Sequence, residues 1–347
     1  MRVVFFAGGD ETPAARYRVR QFIPVFERQG ISCAFYGAYG SSYNRVAPTL
    51  AGPFYKLASR MKRALLMANV RGYDVVFLQR TALPDTALPE LLSSHLNPRI
   101  IFDFDDAIYL RSDGGEGRLR ARTMTTMARI SKAIIVGNAH LAARVGHADK
   151  THVIPTVIDT DRYTPGRGSS GERVVIGWMG TASNFDSLRS VLPALKTVLE
   201  RNRRAVVRIV SNARLREVSG WERTEQRAWA ADREIDDLRS FDIGIMPLLD
   251  NEMSRGKCGF KLILYMATGS PVVASPVGAN VEIVAPGVCG FLSRSRQEWI
   301  DALEALIGSR AMRLQAGEAG RARVEGRYSV RTVAPRYTGI LERVAAG

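Results

Sequence analysis

The sequence has few of the residues that define a small extracellular or metal-bound domain. Its 347 residues include only three cysteines, Cys33, Cys258 and Cys289, which are odd in number and far apart. This usage excludes a disulfide framework and a zinc ribbon, and it favours a reducing cytoplasm. No run approaches the ~20 apolar residues of a membrane span. The apolar start, Met1–Ala7, is too short for a signal-peptide core and is expected to be a first β-strand.

Acidic residues and lysine are scarce relative to arginine. Only seven of the 49 basic residues are lysine, and the 34 acidic residues leave a formal net charge of +15 at pH 7. A charge of this size predicts attraction to anions, whether nucleic acid, anionic lipid or phosphorylated substrates. Because no nucleic-acid recognition motif accompanies the charge, we expect no specific nucleic-acid partner.

One stretch combines basic residues with an amphipathic pattern. From Arg28 to Tyr73 there are seven basic residues, Arg45 among them, and no acidic one. A helix predicted over Pro53–Arg71 would form its apolar face from Phe54, Leu57, Met61, Leu65 and Ala68. This pattern predicts peripheral binding to an anionic membrane surface from the cytoplasm. A core helix with a solvated basic face is the alternative.

Short apolar runs alternate with helical stretches along the whole chain. Strands are predicted at Val3–Ala7, Ile31–Tyr36, Val75–Gln79, Ile100–Phe104, Ala133–Val136, His152–Ile154, Arg173–Met179, Val206–Val210, Asp242–Met246, Val272–Ala274 and Gly290–Leu292. The intervening helices include Pro13–Gln29, Leu188–Glu200, Glu222–Arg239, Phe260–Thr268 and Gln297–Ile307. The alternation predicts an α/β fold with two doubly wound parallel sheets.

The Pro/Gly/Ser-rich stretch Thr164–Gly171 marks the expected linker between the two domains. The domains are therefore predicted at 1–165 and 166–328, and a helix within 329–347 is expected to return to the first. In doubly wound sheets, ligands bind at the carboxyl ends of the strands. The loops that follow the strands are therefore the candidate sites.

The loop after the first strand is Gly8-Gly9-Asp10, followed by Arg16-Tyr17-Arg18. Glycine there would let the backbone approach a ligand closely, and the arginines would attract an anion. A tight turn followed by a solvated basic face is the alternative.

Three carboxylates, Asp103, Asp105 and Asp106, follow another strand. Carboxylates this close could bind a metal or carry out acid–base chemistry. The segment Ile100–Ala107 looks like the first motif of haloacid-dehalogenase-type phosphatases, which would make Asp103 the nucleophile and Asp105 the acid–base residue. It is also similar to the metal-binding DxD of single-domain sugar transferases. Helix capping or loop bonding by the aspartates is the structural alternative.

In the second half, Val174–Asn184 is a predicted strand and turn that ends in Gly180 and Thr181. Backbone N–H groups at such a turn could face a phosphate, although an ordinary strand-to-helix turn has the same sequence character.

The strongest candidate is a basic cluster at the start of a helix expected to begin near Gly259. Arg255, Lys257 and Lys261 surround a helix N-terminus that disfavours cations, and no acidic residue occurs between Glu252 and Glu282. The local charge is therefore unbalanced unless an anion completes it, and a diphosphate is an anion of the right kind. Long side chains that bend out to water are the alternative.

Several of these motifs together resemble the group 1 (family four) glycosyltransferases of the GT-B fold. The matching pieces in the second half are His152–Asp159 with Tyr163, Ile176–Gly180, Asp242–Pro247, Tyr265–Ser275, Val277 and Gly278, Glu282–Val284 and Gly290–Leu292. The first half matches more loosely through Ala15–Val19 and the Asp-Asp before Ala107.

The resemblance implies two Rossmann-like domains that face a cleft, with a nucleotide-diphosphate sugar mainly on the second domain and a hydroxyl acceptor, a glycan or glycolipid, on the first. It also implies transfer with retention, without a metal or cofactor, in polysaccharide or cell-envelope biosynthesis. The donor residues carried over by position are Gly180, Thr181, Met246, Leu248, Arg255, Lys257 and Lys261. The candidate catalytic residues are Asp105, Asp106 and Lys261, and the candidate acceptor residues are Gly9, Arg16 and Arg18.

The sequence departs from the family pattern at two places. Gly256 and Leu264 stand where the family has a pair of glutamates, and the usual Arg and Lys are missing from Thr181–Leu188. The basic cluster is expected to take over the charge role. The missing glutamates keep a third hypothesis open beside the transferase and the phosphatase, namely a non-catalytic sugar-nucleotide binding protein.

Overall fold

The computed structural model describes residues 1–9, 12–40, 46, 49–111, 113–166 and 172–347. They form two compact units: unit 1 comprises Met1–Val157 and Val333–Gly347, and unit 2 comprises Ile158–Thr332. Asp10, Arg45 and most of the expected linker lie outside the described residues. Among the residues described, no helix is both long enough and apolar enough to cross a membrane.

Unit 1 is built on a parallel sheet. Its strands within the described residues are β1 (Arg2–Gly9), β2 (Ser32–Tyr39), β3 (Val75–Gln79), β4 (Ile100–Phe104), β5 (Ala133–Val136) and β6 (Thr151–Val153), in the order β2-β1-β3-β4-β5-β6. β3 and β4 are buried along their whole length, as expected for central strands that are covered on both faces.

Helices cover both faces of this sheet. They are α1 (Pro13–Arg18), α2 (Ile23–Arg28), α3 (Gly52–Leu66), α4 (Leu88–Leu96), α5 (Arg118–Ile130), α6 (Ala139–Val145) and the C-terminal α15 (Val330–Ala346). The single helix predicted over Pro13–Gln29 is wrong, because the chain is interrupted at Val19 and passes through a 3-10 turn. Pro24 explains the restart: it fits only in a first helical turn, where its missing N–H costs nothing.

Unit 2 has a second parallel sheet. Its described strands are β7 (Val174–Met179), β8 (Ala205–Ser211), β9 (Thr224–Ala228), β10 (Ile243–Met246), β11 (Val272–Ala274) and β12 (Gly290–Leu292), in the order β12-β11-β10-β7-β8-β9. The edge strand β9 corrects the helix predicted over Glu222–Arg239. The Gln226 side chain bonds both backbone groups of Leu215, at 2.7 and 3.1 Å, and thereby supports an extended edge.

The helices of unit 2 are α7 (Phe185–Arg189), α8 (Leu192–Arg201), α9 (Glu234–Arg239), α10 (Glu252–Arg255), α11 (Phe260–Ala267), α12 (Asn280–Ile283), α13 (Arg296–Gly308) and α14 (Arg310–Arg327). The sequence reasoning did not predict α14, which contains three glycines. Two of them serve packing, since a methyl group at Gly317 would lie 2.1 Å from the Gly269 carbonyl oxygen and one at Gly320 would lie 3.0 Å from Met266.

Glycines in the central strands of unit 2 bring α11 close to the sheet. A methyl group at Gly177 would lie 2.0 Å from the Phe241 ring, and one at Gly244 would lie 2.3 Å from Tyr265. The Tyr265 hydroxyl in turn accepts a hydrogen bond from the Met179 N–H at 2.9 Å. The middle of α11 is therefore fixed against the carboxyl end of β7. The prediction of an α/β fold with two doubly wound parallel sheets is confirmed.

Candidate functional site

The end of β7 and the first turn of α11 form the centre of the candidate site in unit 2. The Lys261 ammonium lies 4.3 Å from the centre of the Trp178 ring, and a methyl group at Gly180 would lie 2.6 Å from Lys261 Nζ. Glycine at 180 is thus required for this lysine to lie across the strand end. The structure brings together two residues that the sequence assigned to the donor site.

The charge of Lys261 is poorly compensated. Burial, and secondarily the charge of Lys257, lowers the pKa of Lys261 to about 7. Within the described part of the chain, Lys261 has no hydrogen-bonded or ion-paired partner, and its contact with Trp178 is a cation–π contact. An ammonium held at a helix N-terminus without a carboxylate is a site at which an added anion would be stabilised.

Lys257 links this centre to the loop after β7. Its ammonium donates to Asn184 Oδ1 at 2.5 Å, and Asn184 Nδ2 donates to Thr181 Oγ1 at 3.0 Å. Thr181 also shares a 2.8 Å hydrogen bond with Ser183. The predicted phosphate loop and the predicted basic cluster are therefore connected through Asn184.

Arg255 is placed differently from the two lysines. Its exposed guanidinium donates to Asp250 at 2.7 Å. That hydrogen bond and charge hold the pKa of Asp250 below its usual range. The expectation of a cluster without acidic neighbours is wrong for Arg255, because Asp250 lies just outside the interval that was counted. Lys261 carries the unbalanced charge.

Met246 and Leu248, the candidate contacts of the nucleotide base, are both buried after β10. The Leu248 N–H donates to Ser275 Oγ at 3.0 Å, and Asn280 Nδ2 donates to the Ser275 carbonyl at 3.0 Å. Asn280 is fully buried, yet its Oδ1 has no hydrogen-bond partner among the described residues. Sequence reasoning missed both residues: Ser275 ends one of its matching motifs without being assigned a role, and Asn280 lies between two of them.

In unit 1, Asp103 and Arg18 form a buried ion pair. Arg18 Nε lies 3.2 Å from both carboxylate oxygens of Asp103, and Arg18 Nη1 donates to the Ile154 carbonyl at 2.8 Å. Both side chains are inaccessible to solvent. Arg18 therefore holds strand ends together, and we do not carry it into the proposed acceptor site. Asp103 is likewise closed to a phosphoryl group, so the geometry gives no support to the phosphatase alternative.

Arg80 neutralises the other two aspartates of this cluster. Its Nη2 donates to Asp105 at 2.8 Å and to Asp106 at 2.5 Å. Burial raises the pKa of Asp105, but the charges of Arg80 and Arg18 outweigh burial and hold that pKa below its ordinary value. Arg80 adopts a left-handed conformation, φ 57°, which a non-glycine residue rarely adopts. Sequence reasoning missed Arg80 because nothing in its neighbourhood resembles a motif.

The remaining acceptor candidates lie at the end of β1. A methyl group at Gly9 would lie 2.8 Å from Tyr39 Cβ, so the close approach of β2 requires glycine there. The half-buried Arg16 places its guanidinium 4.8 Å from the centre of the Tyr17 ring. The described residues contain no group of three or more His, Cys, Asp or Glu side chains that could hold a metal ion. Independence from metal stays a prediction.

Comparison with known proteins shows that the second half resembles a known family. Residues 173–309 match the family model described as glycosyl transferases group 1. The curated D-inositol 3-phosphate glycosyltransferase of Corynebacterium aurimucosum is 29% identical over 201 residues, which are 49% of this chain and 46% of the relative. The match thus spans about half the length of that relative.

Solved structures resemble the whole chain. The Anabaena protein HepE in complex with UDP-glucose is 16% identical, with a TM-score of 0.71, over 99% of this chain and 100% of that one. Sucrose-phosphate synthase from Thermosynechococcus elongatus is 12% identical, with a TM-score of 0.73, over 99% of each chain. The resemblance to group 1 glycosyltransferases and the GT-B fold are therefore confirmed.

Proposed function

We propose that this chain is a glycosyltransferase that moves a sugar from a nucleotide-diphosphate donor to a hydroxyl acceptor. The observation that carries the proposal is the uncompensated Lys261 ammonium over Gly180, in the unit that matches the family. The UDP and UDP-glucose in the Anabaena complexes support a diphosphate donor of this class.

Lys261 and Lys257 would neutralise the diphosphate. As the bond between the anomeric carbon and the diphosphate oxygen breaks, negative charge builds on the leaving group, and fixed cations stabilise it. Charge-assisted hydrogen bonds contribute about 1.5–3 kcal/mol each, which corresponds to roughly one to two decades in rate per contact. Gly180 and Thr181 would line the phosphates, and the segment from Met246 to Leu248 would contact the base.

Asp105 and Asp106 are the proposed acceptor contacts. Arg80 fixes both carboxylates and holds the pKa of Asp105 below its ordinary value, so the carboxylate oxygens can accept hydrogen bonds from sugar hydroxyls. We propose transfer with retention and without a metal, in which the acceptor proton passes to the leaving phosphate oxygen. Product NMR gives the test: an inverted anomer, or complete loss of activity in EDTA, would contradict this part of the proposal.

We also propose that the chain works in the cytoplasm at an anionic membrane face, on a glycan or glycolipid acceptor. The predicted amphipathic helix is present as α3, and its apolar residues Phe54, Leu57, Met61 and Leu65 are exposed. This exposure favours the membrane hypothesis over a core helix.

Calorimetry with UDP tests the donor site. The wild type should bind UDP, and Lys261→Met should bind it about tenfold more weakly. Slow hydrolysis of UDP-glucose by the wild type would separate an enzyme from a non-catalytic sugar-nucleotide binding protein. Unchanged UDP affinity in Lys261→Met would remove the main support for the donor site.

A further inference from the structure

Unit 1 exposes a concentration of large apolar side chains between residues 50 and 119. Among the residues described there, those exposed are Leu50, Phe54, Leu57, Met61, Leu65, Leu88, Leu92 and Leu119. Phe54 is 78% exposed and Leu65 is 73% exposed, so most of each apolar side chain is in contact with solvent. Contiguous exposed apolar surface usually marks an interaction site.

All of these side chains except Leu50, which precedes α3, come from three neighbouring helices. α4 packs against both α3 and α5. On α3 the exposed residues recur at spacings of three and four and form one stripe, while Arg63 and Met67 are buried on its other side. Leu88 and Leu92 are one turn apart on α4, and Leu119 begins α5. Exposed apolar side chains are therefore found on two neighbouring helices as well as on the predicted one.

The same layer is basic. α3 and α5 contain no acidic residue. The only acidic residue of α4 is Glu90, which is buried and whose carboxylate accepts a hydrogen bond from the Ala82 N–H. Lys62, Arg118 and Arg122 are exposed. Three acidic residues, Asp85, Asp113 and Glu116, flank the helices, and each is paired, with Arg120, Arg111 and Arg144 respectively. The net charge of this surface is therefore positive.

A cavity of about 480 Å³ adjoins this layer. Lys62 and Leu66 of α3, Arg20, and the aromatic residues Phe35, Tyr36 and Tyr39 of β2 line it. Two cations at a cavity of this size provide a place for a lipid phosphate beside the apolar stripe.

We propose that the outer surface of α3, α4 and α5 binds an anionic lipid bilayer, with the leucines and Phe54 inserted among the acyl chains and the basic side chains on lipid phosphates. The positive charge of the surface complements an anionic bilayer, and the acyl chains would cover the aliphatic stripe. Nucleic acid would match the charge but would leave that stripe exposed. This proposal rests on the proposed function, which supplies the hydroxyl acceptor. It adds the surface that would bring unit 1 to a lipid-linked hydroxyl.

Vesicle flotation of the full chain tests this surface. Vesicles of phosphatidylcholine alone are compared with vesicles that also contain phosphatidylglycerol, at low and high salt. We expect roughly tenfold or more stronger binding to the anionic vesicles, and loss of most of it at high salt. Equal recovery from both vesicle types would overturn the proposal, and a protein partner would then have to cover the surface.

Matched variants locate the surface. Leu57→Ser combined with Leu92→Ser should weaken vesicle binding about tenfold, because two buried aliphatic contacts are lost. Val288→Ser in unit 2 removes a side chain of similar exposure, 57% against 56% for Leu57, and should change nothing. Equal effects of the two changes would overturn the assignment. UDP affinity should stay the same in every variant, so failure of the donor site and failure of this surface are told apart.

Discussion

The two units differ in how the positively charged side chains at their strand ends are compensated. In unit 1, Arg18 and Arg80 are each neutralised by aspartates of the same unit. Among the described residues of unit 2, the charged and aromatic neighbours of the Lys261 ammonium are the Trp178 ring and a like charge, Lys257. Balanced arginines fix local geometry, whereas an unbalanced lysine needs an anion from outside. The comparison therefore supports our proposal that the anionic donor binds unit 2, and it gives a structural role to the most deeply buried arginine of unit 1.

The largest expected effect concerns Arg18. Arg18→Met leaves Asp103 as an unpaired buried carboxylate, and breaking a buried pair in this way costs about 3–5 kcal/mol of unfolding free energy. Urea denaturation measures the loss, with Arg16→Met as the control, because Arg16 is only half-buried and should change little. Adding Asp103→Asn should recover part of the stability. If the Arg18→Met protein were stable but had lost affinity for the acceptor, Arg18 would have to be assigned to the acceptor site after all.

The second effect falls on catalysis. Lys261→Met should lower kcat/KM by about ten- to a hundredfold through the loss of a charged contact of about 1.5–3 kcal/mol. The folded state should lose nothing, because the ammonium is disfavoured there by burial. Lys196→Met, which removes an exposed lysine of α8 in the same unit, is the matched control and should keep full activity. A loss of melting temperature with unchanged UDP affinity would instead show that Lys261 only anchors α11.

Proton uptake gives the third test. With a pKa of about 7, Lys261 is mostly neutral at pH 8 in the empty protein, and a bound diphosphate would raise that pKa. UDP binding at pH 8 should therefore take up close to one proton, and at pH 6, where Lys261 is already charged, almost none. Calorimetry in two buffers of different ionisation enthalpy measures the uptake, and subtracting the Lys261→Met result removes the titration of UDP. If the wild type and Lys261→Met took up the same number of protons, Lys261 would not be the group that UDP charges, and the proposed difference between the two units would be wrong.

The sequence predicted the buried parts of the fold well. β3, β4, β5, β11 and β12 have the predicted bounds, because short apolar β-rich runs between turns have few other ways to be buried. The failures lie where tertiary contacts decide. β9 is a polar edge strand that depends on Gln226 and its bonds to Leu215, and α14 keeps its glycines because Gly269 and Met266 approach them.

The candidate site divides in the same way. Gly180, Lys257 and Lys261 could be assigned because the motif and the helix start are local in sequence. The burial of Arg18 could not, because its partner Asp103 is 85 residues away and the Arg-Tyr-Arg segment reads as a solvated basic face. Arg80 gave no signal, since its role depends on aspartates from the next strand. Pairing between distant charges is the information that a single sequence lacks.

The smallest effect is expected at Arg255, which belongs to unit 2 but is neutralised as the arginines of unit 1 are. Its guanidinium is half-exposed and pairs with the still more exposed Asp250, and exposed pairs of this kind contribute little. Arg255→Ala should therefore change UDP affinity by less than about threefold, against about tenfold for Lys261→Met. Asp250→Ala should strengthen UDP binding slightly, because it frees Arg255 and removes a negative charge. A tenfold loss in Arg255→Ala, together with a gain in Asp250→Ala, would mean that Arg255 leaves Asp250 for the diphosphate. In that case the unbalanced charge of unit 2 would extend from the start of α11 to the end of α10.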